Sequence, residues 1–424
     1  MFSQMSSESS LAIVNIRSLV QVRESTTTWV SGNKMDYLPS ISNAFLIIEQ
    51  EKIAAFGPME KFRELHVHGQ VIDATDRFVL PAFADSHTHL VFANSREAEF
   101  VDRIKGKSYA EIATAGGGIL NSAKNLREMS EDELFIKSCL RAEELLALGT
   151  AAVEIKSGYG LTTKDELKML RVARRVGRET PLKVKTTFLG AHAVPQGISK
   201  KDYIAVIKEE MIPAIVEENL ADYIDVFCEK RFFTREETED IVNVGKSFGL
   251  VPKIHGNQLH RSGGVQAAVA TGARSVDHLE RIGREEIELL LNSSTMPTLL
   301  PGAAFFLDDC YPPARQMIDA GLPVALATDF NPGSSPTGNM SFILSLACIR
   351  MKMTPEEAIN AATINGAYAM DVLDTHGSIT IGKAGSVVIT KPISSLAYLP
   401  YSFGSLLIEQ VVANGELLYS PLRL

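Results

Sequence analysis

Residues 79–90 read VLPAFADSHTHL. A mostly apolar run leads into Asp85 and then into the pair His87-x-His89. Residues two apart on an extended backbone face the same way, so both imidazoles can reach one cation. A strand that ends in such residues suits the C-terminal face of a (β/α)8 barrel, where barrel enzymes carry their chemistry. The spacing alone is weak, because His66-Val-His68 repeats it. That second pair lies in a polar stretch with no apolar strand before it, and it reads as surface.

Working outward, seven more short apolar runs follow: residues 151–156, 183–189, 224–229, 251–255, 275–278, 295–300 and 324–329. Longer amphipathic patterns separate them. Four of these open with a capping-box pattern, at Ser130/Glu133, Thr163/Glu166, Thr234/Glu237 and Thr354/Glu357. Alternation of this kind builds a parallel sheet, so the expectation is a (β/α)8 barrel over residues 79–376, with a doubly wound sheet as the alternative. Both ends of the chain read as β. Residues 47–57 resemble a hairpin turning at Gln50 and Glu51, and Asn414-Gly415 is a strong hairpin turn. Neither end is long enough for its own core. Residues 1–78 and 377–424 are therefore expected to combine into one small β-sandwich domain, with the barrel inserted between them.

The ends of the strand candidates hold the polar residues. They read Asp85-Ser-His87-Thr-His89, Glu154-Ile-Lys156-Ser-Gly-Tyr159, Gly190-Ala-His192, Cys228-Glu229-Lys230, His255-Gly-Asn-Gln258, Asp277-His278, Pro301-Gly302 and Asp329-Phe-Asn331. Counting His260, six of the nine histidines gather there. His255 and Asp329 join the His87/His89 pair as ligand candidates. Three histidines and a carboxylate make a mononuclear site with room for water, which a metal can ionise near neutral pH. The plain alternatives are a satisfied core histidine for His255 and a helix N-cap for Asp329.

Composition narrows the class. The chain has 424 residues, 42 Lys+Arg against 51 Asp+Glu, a net charge of 42 − 51 = −9, and 45% hydrophobic residues. Those values exclude a mostly disordered chain. The acidic balance, with no Lys/Arg-rich run, argues against a nucleic-acid partner. No run of about 18 apolar residues predicts a membrane span. The Ser-rich residues 1–10 do not read as a secretory signal. Cys139, Cys228, Cys310 and Cys348 are widely spaced with no CxxC pair, as in a reduced, cytoplasmic protein.

The stretch VLPAFADSHTHL resembles the first-strand motif of the amidohydrolase superfamily. More narrowly, residues 87–118 (HTHLVFANSREAEFVDRIKGKSYAEIATAGGG) are similar to the signature of the imidazolonepropionase family, which acts in histidine degradation. VEIKSGYGL, FLGAHAVP, DVFCEK and ATDFNPGSSPTGNM match the same family, in family order, along nearly the whole chain. The resemblance implies that His87, His89, His255 and Asp329 bind one Zn or Fe ion per subunit. It implies substrate contacts from Arg96, Tyr159 and His192, Gln258 beside the ring, and Asn331, Gly333 and Ser334 around the product-side groups. It also implies a homodimer, with a small-molecule substrate and water as partners. Some members carry Glu where this chain has Gln258. Gln can orient water but cannot take a proton.

The implied reaction opens the cyclic amide of 4-imidazolone-5-propanoate to N-formimidoyl-L-glutamate, by attack of hydroxide generated at the metal. In this reading His278 stabilises the oxyanion, Asp329 shuttles the proton, Gln258 assists, and Arg96 offers its fork to the propionate. The run 116–118 could present backbone N–H groups to the same carboxylate. Lys156, which stands where binuclear relatives carry a bridging lysine, reads as structural or polarity-setting. The competing readings are another amidohydrolase, such as a purine or pyrimidine deaminase, and a non-catalytic homologue.

Overall fold

The computed structural model describes residues 10–62, 69–107, 111 and 117–419. His66, His68, Gly116 and most of the Ser-rich residues 1–10 lie outside the described residues.

Five strands come first: β1 (Ser10–Val20), β2 (Ser40–Glu49), β3 (Lys52–Pro58), β4 (Gly69–Asp73) and β5 (Phe78–Pro81). Eight follow: β6 (Phe83–Thr88), β7 (Thr150–Lys156), β8 (Lys183–Ala191), β9 (Tyr223–Cys228), β10 (Val251–Gly256), β11 (Ser275–His278), β12 (Met296–Leu299) and β13 (Ala325–Leu326). The last three are β14 (Val387–Thr390), β15 (Ile408–Ala413) and β16 (Glu416–Tyr419).

Strands β6 to β13 pair in sequence order, all parallel. A parallel bridge between Thr88 and Phe330 brings the two edges of this sheet together. There the His89 N–H donates to Phe330 O at 2.9 Å and the Asp329 N–H to His87 O at 3.0 Å. The same seam that closes the barrel therefore sets His87, His89 and Asp329 side by side. Strands β6, β7 and β9 are buried at every position, as expected of parallel strands covered on both faces.

The chain ends meet in one other sheet, ordered β16-β15-β14-β5-β1-β2-β3, with β4 beside β1. The expected hairpins are present. Gln50 and Glu51 have φ of 49° and 67°, and Asn414 and Gly415 have 50° and 78°. Positive φ at both central positions is the type I′ turn that matches the twist of paired strands.

Two local expectations need correction. Residues 79–85 are not one strand. Phe78–Pro81 pairs with β1 and β14 in the end sheet, and Phe83–Thr88 opens the barrel, so the passage between the sheets falls at Ala82. Pro81 has no N–H to continue a ladder, which marks the break. The box at Thr163 is also absent. Thr162 is the N-cap and accepts from the Asp165 N–H, while Ser130, Thr234 and Thr354 form reciprocal boxes as expected. Glu166 is thereby released for another task. Among the described residues no helix is long and apolar enough to cross a membrane.

Candidate metal centre and substrate cavity

Four imidazoles and a carboxylate converge at the C-terminal end of the barrel. His87 and His89 come from β6 and its end, His255 from β10, His278 from β11, and Asp329 follows β13. All five are buried. The ring centroids of His87 and His255 are 4.4 Å apart, and those of His87 and His89 are 5.3 Å apart. Asp329 Oδ1 lies 3.5 Å from His87 Nε2 and 3.6 Å from His89 Nε2. Two overlapping triads, His87/His89/Asp329 and His87/His255/His278, each bring their ligand atoms within 4.8 Å of one another. His278, expected only as a catalytic group, thus joins the ligand candidates.

The hydrogen bonding fits a metal. His87 Nδ1 lies 2.7 Å from Asp277 Oδ2. A carboxylate can only accept, so Nδ1 carries the hydrogen and Nε2 is left bare. His87 Nε2 and His255 Nε2 are buried and have no hydrogen-bond partner. Leaving such an atom unsatisfied costs roughly 1–3 kcal/mol, a penalty that a shared cation removes. Burial holds the pKa of His87 and of His89 well below the ordinary value, and the Lys156 charge pushes both the same way. Both rings are therefore neutral, the form that ligates. Burial raises the Asp329 carboxyl to about 6, against the pull of His278 and His255. Burial depresses the His278 imidazole, but the carboxylates of Glu280, Asp329 and Asp277 outweigh it, so its pKa is raised. The backbone at His278 (φ 86°) and Asp329 (φ 55°) is left-handed, a costly conformation that concentrates at functional sites.

Above this cluster opens a cavity of about 490 Å³. Its lining includes His89, His255, His278 and Asp329 together with Arg96, Tyr159, His192, Gln258, Asn331, Gly333 and Ser334. The metal-ligand, catalytic and substrate-contact candidates from the sequence are thus brought to one place, with His87 behind the wall, whereas Gly117 and Gly118 are not in the lining and the Gly118 N–H is taken by Glu99. His192 donates from Nδ1 to Gly158 O at 3.1 Å and stacks on His89 with centroids 5.2 Å apart. Burial lowers its pKa to about 3, so it is neutral. Gly158 has φ +109°, and a Cβ there would meet His192 Nδ1 at 2.9 Å. Asn331 Oδ1 accepts the N–H groups of Gly333 and Ser334 at 2.7 and 2.8 Å, which fixes the turn after β13.

Arg96 lies at the cavity wall and is already engaged. Its Nε and Nη2 donate to Glu99 Oε2 at 2.9 and 2.5 Å, and Glu99 Oε1 accepts the Gly118 N–H at 3.0 Å. Burial pushes the Glu99 carboxyl up, but the bonds from Arg96 and Gly118 outweigh it and hold it below the ordinary value. Nη1 is left toward Gly333, where a Cβ would come within 2.3 Å of it. Arg103 and Lys107 add two more cations to the lining.

Several residues escaped the sequence reading. Glu166 accepts the N–H groups of Gly158 (3.0 Å), Gly160 (2.8 Å) and Leu161 (2.8 Å), and so shapes the loop that carries Tyr159. Asp225 Oδ2 lies 2.9 Å from His255 Nδ1. Glu154 and Lys253 are fully buried beneath the cluster. The available signal was a charged residue inside an apolar strand, as in VEIK, IDVF, PKIH and SVDH.

A closed parallel barrel with a His-x-His pair, two further strand-end histidines and an aspartate defines a metal-dependent hydrolase of the amidohydrolase class. The description of the amidohydrolase family matches residues 229–418. Solved structures agree on the fold: the E. coli guanine deaminase superposes with a TM-score of 0.75 at 14% identity, covering 97% of this chain and 99% of that one. An adenosine deaminase from Xanthomonas campestris gives 0.70 at 15% identity, covering 97% and 93%. Sequence relatives are more specific. The imidazolonepropionase of Flavobacterium johnsoniae is 56% identical over 408 residues, 96% of this chain and 99% of the relative. That of Geobacillus sp. is 41% identical, covering 98% and 99%. The chain belongs to the imidazolonepropionase family, and it is a hydrolase.

Proposed function

We propose the following division of labour for the family's reaction, hydrolysis of the ring amide of 4-imidazolone-5-propanoate to N-formimidoyl-L-glutamate, the third step of histidine degradation. The observation that carries it is the convergence of His87 Nε2 and His89 Nε2 on Asp329 Oδ1, with His255 beside them, at the floor of a cavity with an arginine in its wall. His87, His89, His255 and Asp329 hold one Zn or Fe ion, since His and Asp ligands suit both. When bound, the ion supplies Lewis acidity, which lowers the pKa of water and polarises a carbonyl oxygen.

The protein's own groups do the rest. Asp329 takes the proton of the attacking water as the oxygen–carbon bond forms at the ring carbonyl. His278 donates to the developing oxyanion. Asp329 then returns the proton to the leaving ring nitrogen as the carbon–nitrogen bond breaks. Gln258 orients water and ring without exchanging protons. Tyr159 and neutral His192 hold the ring. Arg96 binds the propionate, and Asn331, Gly333 and Ser334 receive the product-side groups. The same reading takes the enzyme as a cytoplasmic homodimer. Sedimentation velocity and metal analysis of the purified protein address state and stoichiometry.

The test is direct. Purified protein is mixed with imidazolone propionate freshly made from urocanate, and loss of ring absorbance is followed before and after chelator treatment and resupply of Zn or Fe. Metal-dependent ring loss above the spontaneous rate supports the reading. No ring loss in any metal form refutes the substrate.

A further inference from the structure

Beneath the metal cluster lies a buried charge network that the mechanism does not use. Lys156 Nζ, on β7, lies 2.6 Å from Glu154 Oε1, 2.8 Å from Asp225 Oδ2 and 3.5 Å from Asp277 Oδ2, with every side chain fully buried. The two aspartate oxygens are the ones beside the histidines. Asp225 Oδ2 is 2.9 Å from His255 Nδ1, and Asp277 Oδ2 is 2.7 Å from His87 Nδ1. We infer that Lys156 is a positioning residue: by bridging Asp225 and Asp277 it holds the His87 and His255 rings in common register for the ion.

This rests on the metal-centre reading above. Asp225 and Asp277 sit on β9 and β11, on either side of β10, and no backbone ladder joins them. Lys156 reaches both from β7, across the barrel interior. The ammonium donates to Glu154 and Asp225 and stands in ion-pair range of Asp277, and with no lone pair it cannot ligate. The other oxygens are occupied too: Asp277 Oδ1 accepts from Ser275 Oγ at 2.5 Å, and Asp225 Oδ1 from the His255 N–H at 3.0 Å. Lys253 neutralises Glu154 from the opposite side. With two lysines against three carboxylates the network carries a net charge of −1, the sign a cation above it prefers. Groups that orient metal-bound histidines from behind typically change metal affinity 10- to 100-fold when lost.

The experiment titrates Co(II) into metal-free wild type, Lys156→Met, and Lys156→Met/Glu154→Gln. The double variant keeps the network at −1. Circular dichroism reports folding, a chelator competition gives Kd, and the visible d–d bands at saturating cobalt report ligand geometry. Expected are folded variants with Kd raised 10- to 100-fold and altered d–d bands. Variants that match the wild type within threefold in Kd, with unchanged bands, would overturn the inference. So would failure of both variants to fold at saturating cobalt, which assigns the network to stability alone. A wild type that binds no cobalt would overturn the metal-centre reading, and this inference with it.

Discussion

Arg96→Ala is the sharpest probe of substrate choice. The guanidinium is not free: Glu99 occupies Nε and Nη2, and only Nη1 is turned toward Gly333. One charge-assisted contact to a propionate is worth about 1.5–3 kcal/mol. At about 1.4 kcal/mol per tenfold, that predicts a KM raised roughly 10- to 150-fold. An interaction made equally in ground and transition states leaves kcat unchanged. The variant also uncovers the Glu99 carboxylate, which adds repulsion, so Arg96→Ala/Glu99→Gln should recover part of the loss. Steady-state kinetics on imidazolone propionate and on its side-chain carboxamide separate the charge effect from a general distortion. The acid should lose the full factor and the neutral amide only a small part of it. An equal loss for both substrates, or a KM change under threefold for the acid, would refute the assignment of Arg96 to the carboxylate.

Gly333→Ala sets a methyl 2.3 Å from Arg96 Nη1, so it should raise KM about tenfold by displacing that group while leaving the thermal midpoint nearly unchanged. Asp329→Ala should abolish turnover in the ring-absorbance assay, since a metal ligand and the proton shuttle are lost together. Glu166→Gln turns an amide N–H toward the Gly158 N–H. The resulting cost of about 1–3 kcal/mol should appear in urea denaturation, with a weaker hold on the ring from the loop of Tyr159. Burial, aided by Lys183 and Lys383, lowers His376 from 6.5 to about 4, so its stabilisation is present above pH 6.5 and is lost as pH falls toward 4. The loss should reach about 2 kcal/mol between pH 7 and pH 5, and a His376→Gln variant should lack that part of the acid slope in urea denaturation.

Much of the barrel was legible because its determinants are local. Each strand is a short apolar run, and three of four capping boxes need only a Ser or Thr and a Glu three residues on. The strand ends were legible for the same reason: a polar residue that closes an apolar run points at the catalytic face. Local pattern failed where two readings share one composition. Thr162 and Thr163 both suit an N-cap, and only the backbone shows that Thr162 is used, freeing Glu166 to hold the loop of residues 158–161. The run 79–85 looks continuous because β5 and β6 are both apolar, although they belong to different sheets.

The deeper omission has a different cause. That Lys156, Asp225, Lys253 and Asp277 point into the barrel follows from alternation along each strand. Which of them meet does not, because it depends on how neighbouring strands are staggered and on where the sheet closes. The register pairs Lys253 with Asp225 across β10 and β9, and His255 with Asp277 across β10 and β11. A stagger of one residue would turn every one of these groups to the other face. The closure at Thr88 and Phe330 then carries that register around to Asp329. Ligands could be nominated one strand at a time, but the carboxylates and the lysine behind them acquire meaning only once the ring of strands is complete.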